Sequence, residues 1–504
     1  MINKIFFIFF FNTIFCILEQ KKLKVYEDWD QYTISIDGLT YRCPKCIPYK
    51  IKSSNGTISL SIPRIYDNNN IKNTTANVTF IALRTEFKED HYWVAWPFER
   101  YVFANINFQD FPNRIFSVMG FEVDSSRNYY LLDQGIILQE NNTVMENTTK
   151  LVVFSKIGDL LNIYYFNETD FTTSLLTDIV VDQSQKYAYI TDSGNLLNNQ
   201  SIPRIIVVDL KQKKTYKILN NNTLLQPDKN ISITYSENKV YNYFTEITGL
   251  NTIQLSCDGE MLLFSSLKSK SIYRVYIKDI NKAIKNYEKT KNEIHLNNID
   301  ITKVDKGIVS QSFFISSKNN LFMTNGELGS IQSLYSLDED LENFNFKDYS
   351  QIYGEKFILN WPGSIDIDKG KLYLLDNHYY NRNSSINNDS DIKLLKSDDI
   401  KNETENETVK YFAIYVAELS KDEYSYINGC SIYIFKLNIF SCFLSICFVL
   451  TLFVIISIML IKKEKKKKNK KVGEACEENE ENINELNRRL NEKETDEDED
   501  DYYE

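Results

Sequence analysis

Along much of the chain, apolar and polar residues alternate, and the alternation comes in pairs of short runs separated by a polar turn. The clearest pair is Asp178-Ile-Val-Val-Asp182, the turn Gln-Ser-Gln-Lys, then Tyr187-Ala-Tyr-Ile190 with a polar end at Thr-Asp192-Ser-Gly194. A period of two puts alternate side chains on opposite faces, so each run reads as a strand and each pair as a hairpin. The same grammar recurs over 121–135, 253–265, 314–326 and 365–377. Successive hairpins lie roughly 60 residues apart, the spacing of blades set around an axis.

Further alternating runs follow the hairpins at 150–154, 204–210, 271–276 and 330–335, and two precede them at 58–62 and 78–83. Each hairpin with its followers makes about four strands, the content of one propeller blade. The run 411–419 has no hairpin partner nearby, so we expect it to join the N-terminal strands in a sixth unit, closing the ring and removing its exposed edges. The expected fold is all-β: a six-bladed β-propeller ectodomain plus one C-terminal transmembrane helix. Two polar stretches, 281–305 and 382–407, read as long loops on one face.

Composition supports a strand-rich interior. The 504 residues are 43% hydrophobic, with Tyr (33) and Phe (31) abundant and Gly scarce (16). The net charge is −11, and the stretch from Lys462 onward supplies close to half of it. The body carries no basic stripe, which argues against nucleic acid as a partner.

Two apolar segments frame the chain. Lys4 precedes the run Ile5 to Leu18, and polar Glu19-Gln20-Lys21 follows, the layout of a secretory signal peptide over 1–19. The run Ile439 to Ile461 carries no charge, and at about 1.5 Å per residue it covers roughly 35 Å, against a bilayer core of about 30 Å. The lysine block 462–471 follows at once, whereas only Lys436 stands near the other end, so the positive-inside rule places the tail in the cytoplasm. The expected layout is a signal peptide (1–19), an extracellular or lumenal body (20–430), a transmembrane helix (439–461) and a cytoplasmic polybasic and acidic tail (462–504), disordered because it buries too little apolar surface. This makes a single-pass, type I protein of the cell surface or secretory-pathway membrane.

Cys43, Cys46, Cys257 and Cys430 lie in the body, an even number that permits two disulfides in three pairings. No second Cys/His pair accompanies Cys43-Pro-Lys-Cys46 at metal spacing, which favours structural cysteines. Thirteen Asn-x-Ser/Thr sequons precede the span, at Asn55, Asn73, Asn77, Asn141, Asn147, Asn167, Asn199, Asn221, Asn230, Asn383, Asn388, Asn402 and Asn406. Their polar surroundings suit glycosylated surface turns.

The order of these motifs resembles that of the major royal jelly protein/yellow family. It runs from Ile62-Pro63-Arg64, through Val123-Asp124 with Leu132-Asp133-Gln-Gly135 and Asp178 to Asp182 with Tyr189 to Gly194, to Gln226-Pro227-Asp228. Leu255-Ser-Cys-Asp-Gly-Glu260 with Ile272-Tyr-Arg-Val275 follows, then Trp361-Pro362 with Asp376-Asn377. Cys257 stands where the family has Pro, and Gly363-Ser364 where it has Asp-Thr. The resemblance implies a propeller with a small-molecule pocket at one mouth of its channel, and some relatives bind biogenic amines or convert dopachrome. Carried over by motif, the pocket residues are Ser364, Asn377 and Tyr379. A hydroxyl, an amide and an aromatic face suit a cation or a ring.

Direct signs of catalysis are few. Of the three histidines, His91, His295 and His378, His378 is a weak catalytic candidate as general base in a dopachrome-type proton shift. Asp133, Asp178, Asp192 and Asp376 at hairpin ends could hold a metal such as calcium, although aspartates also end strands because they favour turns. The reading preferred is a non-enzymatic binder of a small amine-like molecule or an extracellular protein, with no required cofactor. The alternative is a dopachrome-converting isomerase or a metal-dependent lactonase-like enzyme.

Overall fold

The computed structural model describes residues 23–29, 32–36, 39–43, 48–63, 79–87, 90–97, 114–135, 137–138, 143–144, 148–166, 174–194, 202–231, 234–235, 238–239, 249–305, 307–318, 320–334, 350–353, 359, 361–377, 412–419 and 426–494. The chain divides into two units, Met1–Ser431 and Ile432–Glu504.

The first unit is mostly β. Its described residues form five four-stranded sheets, one six-stranded sheet and two two-stranded ribbons. Apart from one parallel contact between Tyr32–Ile36 and Asp90–Ala95, every pairing is antiparallel. Each larger sheet opens, at one edge, with a lead strand. In chain order these are Lys50–Ser54, Val118–Val123, Leu176–Val181, Leu250–Leu255, Phe313–Ile315 and Pro362–Asp368. Each lead strand touches the next, and Pro362–Asp368 touches Lys50–Ser54, so the contacts form a closed cycle.

The apolar packing follows the same cycle. Ile51, Leu60 and Phe80 of the first sheet meet Phe121, Leu131 and Phe154 of the second, with Tyr373 and Leu375 of the sixth on the other side. Leu132 and Val153 meet Ile179 and Ile190; Tyr189 and Val207 meet Ile253 and Phe264. Leu263 and Ile272 meet Phe313 and Met323, and Phe314 and Phe322 meet Ile365 and Leu374. Both faces of the lead strands are therefore buried, which drives stacking of neighbouring sheets.

The ends of the unit are joined by Lys24–Trp29, which pairs antiparallel with Phe412–Glu418 in the sixth sheet, beside the hairpin of Pro362–Asp368 and Lys371–Asn377. The C-terminal strand thus joins its own sequence neighbours and one N-terminal strand, rather than the sheet of Thr57–Ser61 and Phe80–Phe87 expected to receive it. The stretch 281–305 also differs from the loop expected of it. It holds most of the helix Ile277–Thr290, a short helix Ile294–Asn297 and the strand Thr302–Asp305. Ile280, Ala283, Ile284, Leu296 and Ile299 bury against the third and fourth sheets, the first three because their spacing makes one apolar stripe on the helix Ile277–Thr290 in an otherwise polar segment.

The second unit consists mainly of the helix Tyr426–Glu494. This helix continues through 462–494, where disorder is expected from charge. Glu, Lys, Arg and Leu are strong helix formers, and pairs such as Glu485 and Arg489, 2.9 Å apart at i and i+4, add to them. Among the described residues no helix is long and apolar enough to cross a membrane; within 439–461, side chains are described from Cys447 onward.

Candidate functional site where the lead strands converge

A lead strand lies at a sheet edge, so its outward backbone groups need partners from elsewhere. Side chains of neighbouring lead strands supply them. Ser364 Oγ accepts the Ile51 N–H at 3.3 Å, Asp366 Oδ2 the Ser53 N–H at 2.6 Å, and Asp178 Oδ2 the Ile253 N–H at 3.3 Å. Thr177 Oγ1 donates to the Leu250 carbonyl at 2.8 Å, and Asn251 Nδ2 to that of Gln311 at 2.5 Å. Gln311 in turn meets the Trp361 indole N–H.

These strands also gather buried charge. The Lys50 ammonium pairs with Asp178 and the Lys52 ammonium with Glu122 at 2.9 Å, while Asp366 Oδ1 lies 3.7 Å from Lys52, beyond hydrogen-bond reach. The Phe314 ring lies 5.3 Å from the Lys52 ammonium. The Lys50–Asp178 pair passes the second sheet at Gly120, where a Cβ would come within 2.7 Å of the Asp178 Cα. Three carboxylates thus face two ammoniums.

Burial pushes the Asp366 carboxyl up to about 7, Lys52 and the Ser53 N–H acting against that and Glu122 and Asp368 adding to it. Burial lowers Lys50 and outweighs Asp178. For Lys52 burial acts downward too, but Glu122 and Asp366 overcome it and the group is raised. Several acceptor atoms here have no hydrogen-bond donor: Asp366 Oδ1, Gln254 Oε1 and Asn251 Oδ1, with the Thr252 hydroxyl also unpaired.

Of the pocket residues expected by motif, Ser364 is buried and bonded to Ile51 as above. It pairs with Leu375 across the hairpin, while Asn377, at the end of that second strand, sits just beyond the Pro362–Asp376 pair. Ser364 and Asn377 thus share one end of the sixth sheet. The Asn377 side chain, His378 and Tyr379 lie outside the described residues. So do Asn73, Asn77, Asn141, Asn147, Asn167, Asn199, Asn383, Asn388, Asn402 and Asn406, whereas Asn55, Asn221 and Asn230 stand in exposed turns. Cys257 is disulfide-bonded. The side chains of Cys43, Cys46 and Cys430 are outside the described set.

Three of the aspartates considered as metal ligands hold backbone N–H groups. Asp133 accepts the backbone N–H groups of Phe116, Ser117 and Gly135, Asp192 those of Leu175 and Gly194, and Asp376 that of Trp361. Asp133 and Asp192 end the second strand of their sheets and Asp376 is the last residue but one of its own, each near an irregularity in the lead strand, between Val118 and Phe121, Leu176 and Asp178, and Pro362 and Ser364. The carboxylate satisfies N–H groups of the residues just before the lead strand and, for Asp133 and Asp192, of the residue two places on. Lys150 and Arg204, directly across on the third strands, neutralise Asp133 and Asp192, each at 2.8 Å. Among the described residues no group of three or more His, Cys, Asp or Glu is arranged to hold a metal.

Four residues of this candidate site did not stand out in the sequence: Lys50, Lys52, Glu122 and Asp366. Their signal was charge at alternate positions inside otherwise strand-like runs.

No curated protein matches the chain. Among solved structures it is similar to a luciferin-regenerating enzyme at 8% identity and a TM-score of 0.41, covering 79% of this chain and 94% of that one. Virginiamycin B lyase from Staphylococcus aureus shows 13% identity and a TM-score of 0.35, covering 66% and 92%. The family model described as major royal jelly protein matches residues 116–407, from the second sheet to beyond the last hairpin. The chain belongs to the major royal jelly protein family.

Proposed function

We propose that the six larger sheets are blades of a six-bladed β-propeller displayed outside the cell on one transmembrane helix. In this reading the propeller binds a small amine-like cation and does not turn it over. The observation that carries the binding reading is the imbalance where the lead strands converge. Acid exceeds base there, and the oxygens of Asp366, Gln254 and Asn251 lack donors. Buried acceptors without donors are costly, and an ammonium brings both positive charge and several N–H groups. Ser364, Asn377 and Tyr379 would line the approach from one end of the sixth sheet.

The anchor reading is supported by the uncharged run 439–461 and the lysine block that follows it. Side chains from Phe448 to Ile461 are exposed right around the helix, as in a segment whose solvent is lipid. The secretory reading agrees with the leader 1–19 and with sequons at exposed turns. Calcium is not needed in this reading, and no observation favours the isomerase or lactonase alternative.

A thermal-shift series with aromatic monoamines, catechols and calcium tests it. The expected result is a rise in Tm with amines only, lost in Asn377→Ala, without product formation. Turnover of dopachrome that vanishes in His378→Ala would show the protein to be an enzyme instead.

A further inference from the structure

The tail helix beyond the lysine block carries an apolar seam. Ile483 and Leu486 are 58% and 62% exposed, although water-facing helices are otherwise polar. With Ile483 at heptad position a, Cys476 and Leu490 also fall at a and Val472 and Leu486 at d, while Asn479 and Lys493 are the polar residues at d. Ile at a with Leu at d favours two parallel strands. In a parallel pair, position g of one helix faces the next e of the other. That places Arg489 opposite Glu494 of a second copy, so the flanking charges complement each other.

We propose that 472–494 is a short parallel coiled coil joining two copies of this chain through their tails. The inference rests on the single-pass anchor for its geometry. One membrane tethers both helices pointing the same way, which excludes the antiparallel alternative. It also raises the local concentration enough for a seam of only about three heptads to pair.

The test is oxidative cross-linking of the full chain in membranes with copper-phenanthroline. Position a places the two Cys476 thiols face to face, where oxidation of both forms one disulfide. A dimer band absent in Cys476→Ser, and reduced at least ten-fold in the double variant Ile483→Asp with Leu486→Asp, is expected. Arg489→Glu should weaken it and added Glu494→Arg restore it. A band insensitive to these changes, or no band in chain that stays in the membrane pellet after alkaline carbonate, overturns the pairing. Release of the chain by carbonate would instead overturn the anchor, and cross-linking in the released chain would leave the coiled coil standing without it.

Discussion

Lys50 and Asp178 lie 128 positions apart and form a buried ion pair that joins the first sheet to the third, passing the second at Gly120. Its value is asymmetric. Removing one partner strands the other charge in the interior, at a cost of roughly 3–5 kcal/mol, whereas replacing both with apolar groups of similar size costs far less. Urea unfolding of Asp178→Leu should show a loss of that order, and Lys50→Met combined with Asp178→Leu should recover most of it. Additive losses in the double variant would mean that the two side chains do not interact.

Gly120 is required by closeness to backbone, since an added Cβ would meet the Asp178 Cα at 2.7 Å and the Thr177 carbonyl oxygen at 2.9 Å. Backbone cannot rotate away as a side chain can. Gly120→Ala should therefore destabilise by about 1–3 kcal/mol, the usual cost of overpacking, measured as a shift of the urea midpoint. An unchanged midpoint would place the second and third lead strands further apart than described.

Asp366 gives the body a pH dependence of known sign. Its folded pKa of about 7 stands above its ordinary value of 3.8, so between these values the folded chain holds a proton that the unfolded chain has released. Stability from this group is full below pH ~4 and is lost as pH rises to about 7. The Tm of the wild type, compared with Asp366→Asn, should rise more steeply when pH falls from 7.5 to 5.5. Parallel pH profiles would show that Asp366 ionises normally.

The hairpin-end aspartates predict an effect that metals do not alter. Asp192→Ala removes the acceptor for two backbone N–H groups and the partner of buried Arg204, at a cost of roughly 3–5 kcal/mol. The same loss should appear with EDTA and with added calcium. A calcium-dependent loss would return this carboxylate to a metal site.

The hairpins were legible because a strand buried against sheets on both sides still alternates when its two faces differ in size and polarity, as in Asp178-Ile-Val-Val. The pairing of Lys24–Trp29 with Phe412–Glu418 was not legible, since no local pattern says which distant edge a strand joins. Ile280, Ala283 and Ile284 stayed hidden because Asn and Lys around them outweigh three apolar residues in composition, although not in periodicity. The buried lysines were hidden for a further reason. Lys50-Ile-Lys52 reads as a half-exposed strand, and only the neighbours brought by Glu122, Asp178 and Asp366 bury those lysines.

Lys24–Trp29 and Phe412–Glu418, near the two ends of the first unit, are paired strands of one sheet in the cycle of six. In the register described, Asp28 lies opposite Ala413. A chain carrying Asp28→Cys and Ala413→Cys should form a disulfide that holds its two fragments together after proteolysis within 381–410, with separation only on reduction. Asp28→Cys with Glu418→Cys should not form one. Fragments that separate without reductant in the first variant, or remain linked equally in both, would contradict the closed ring.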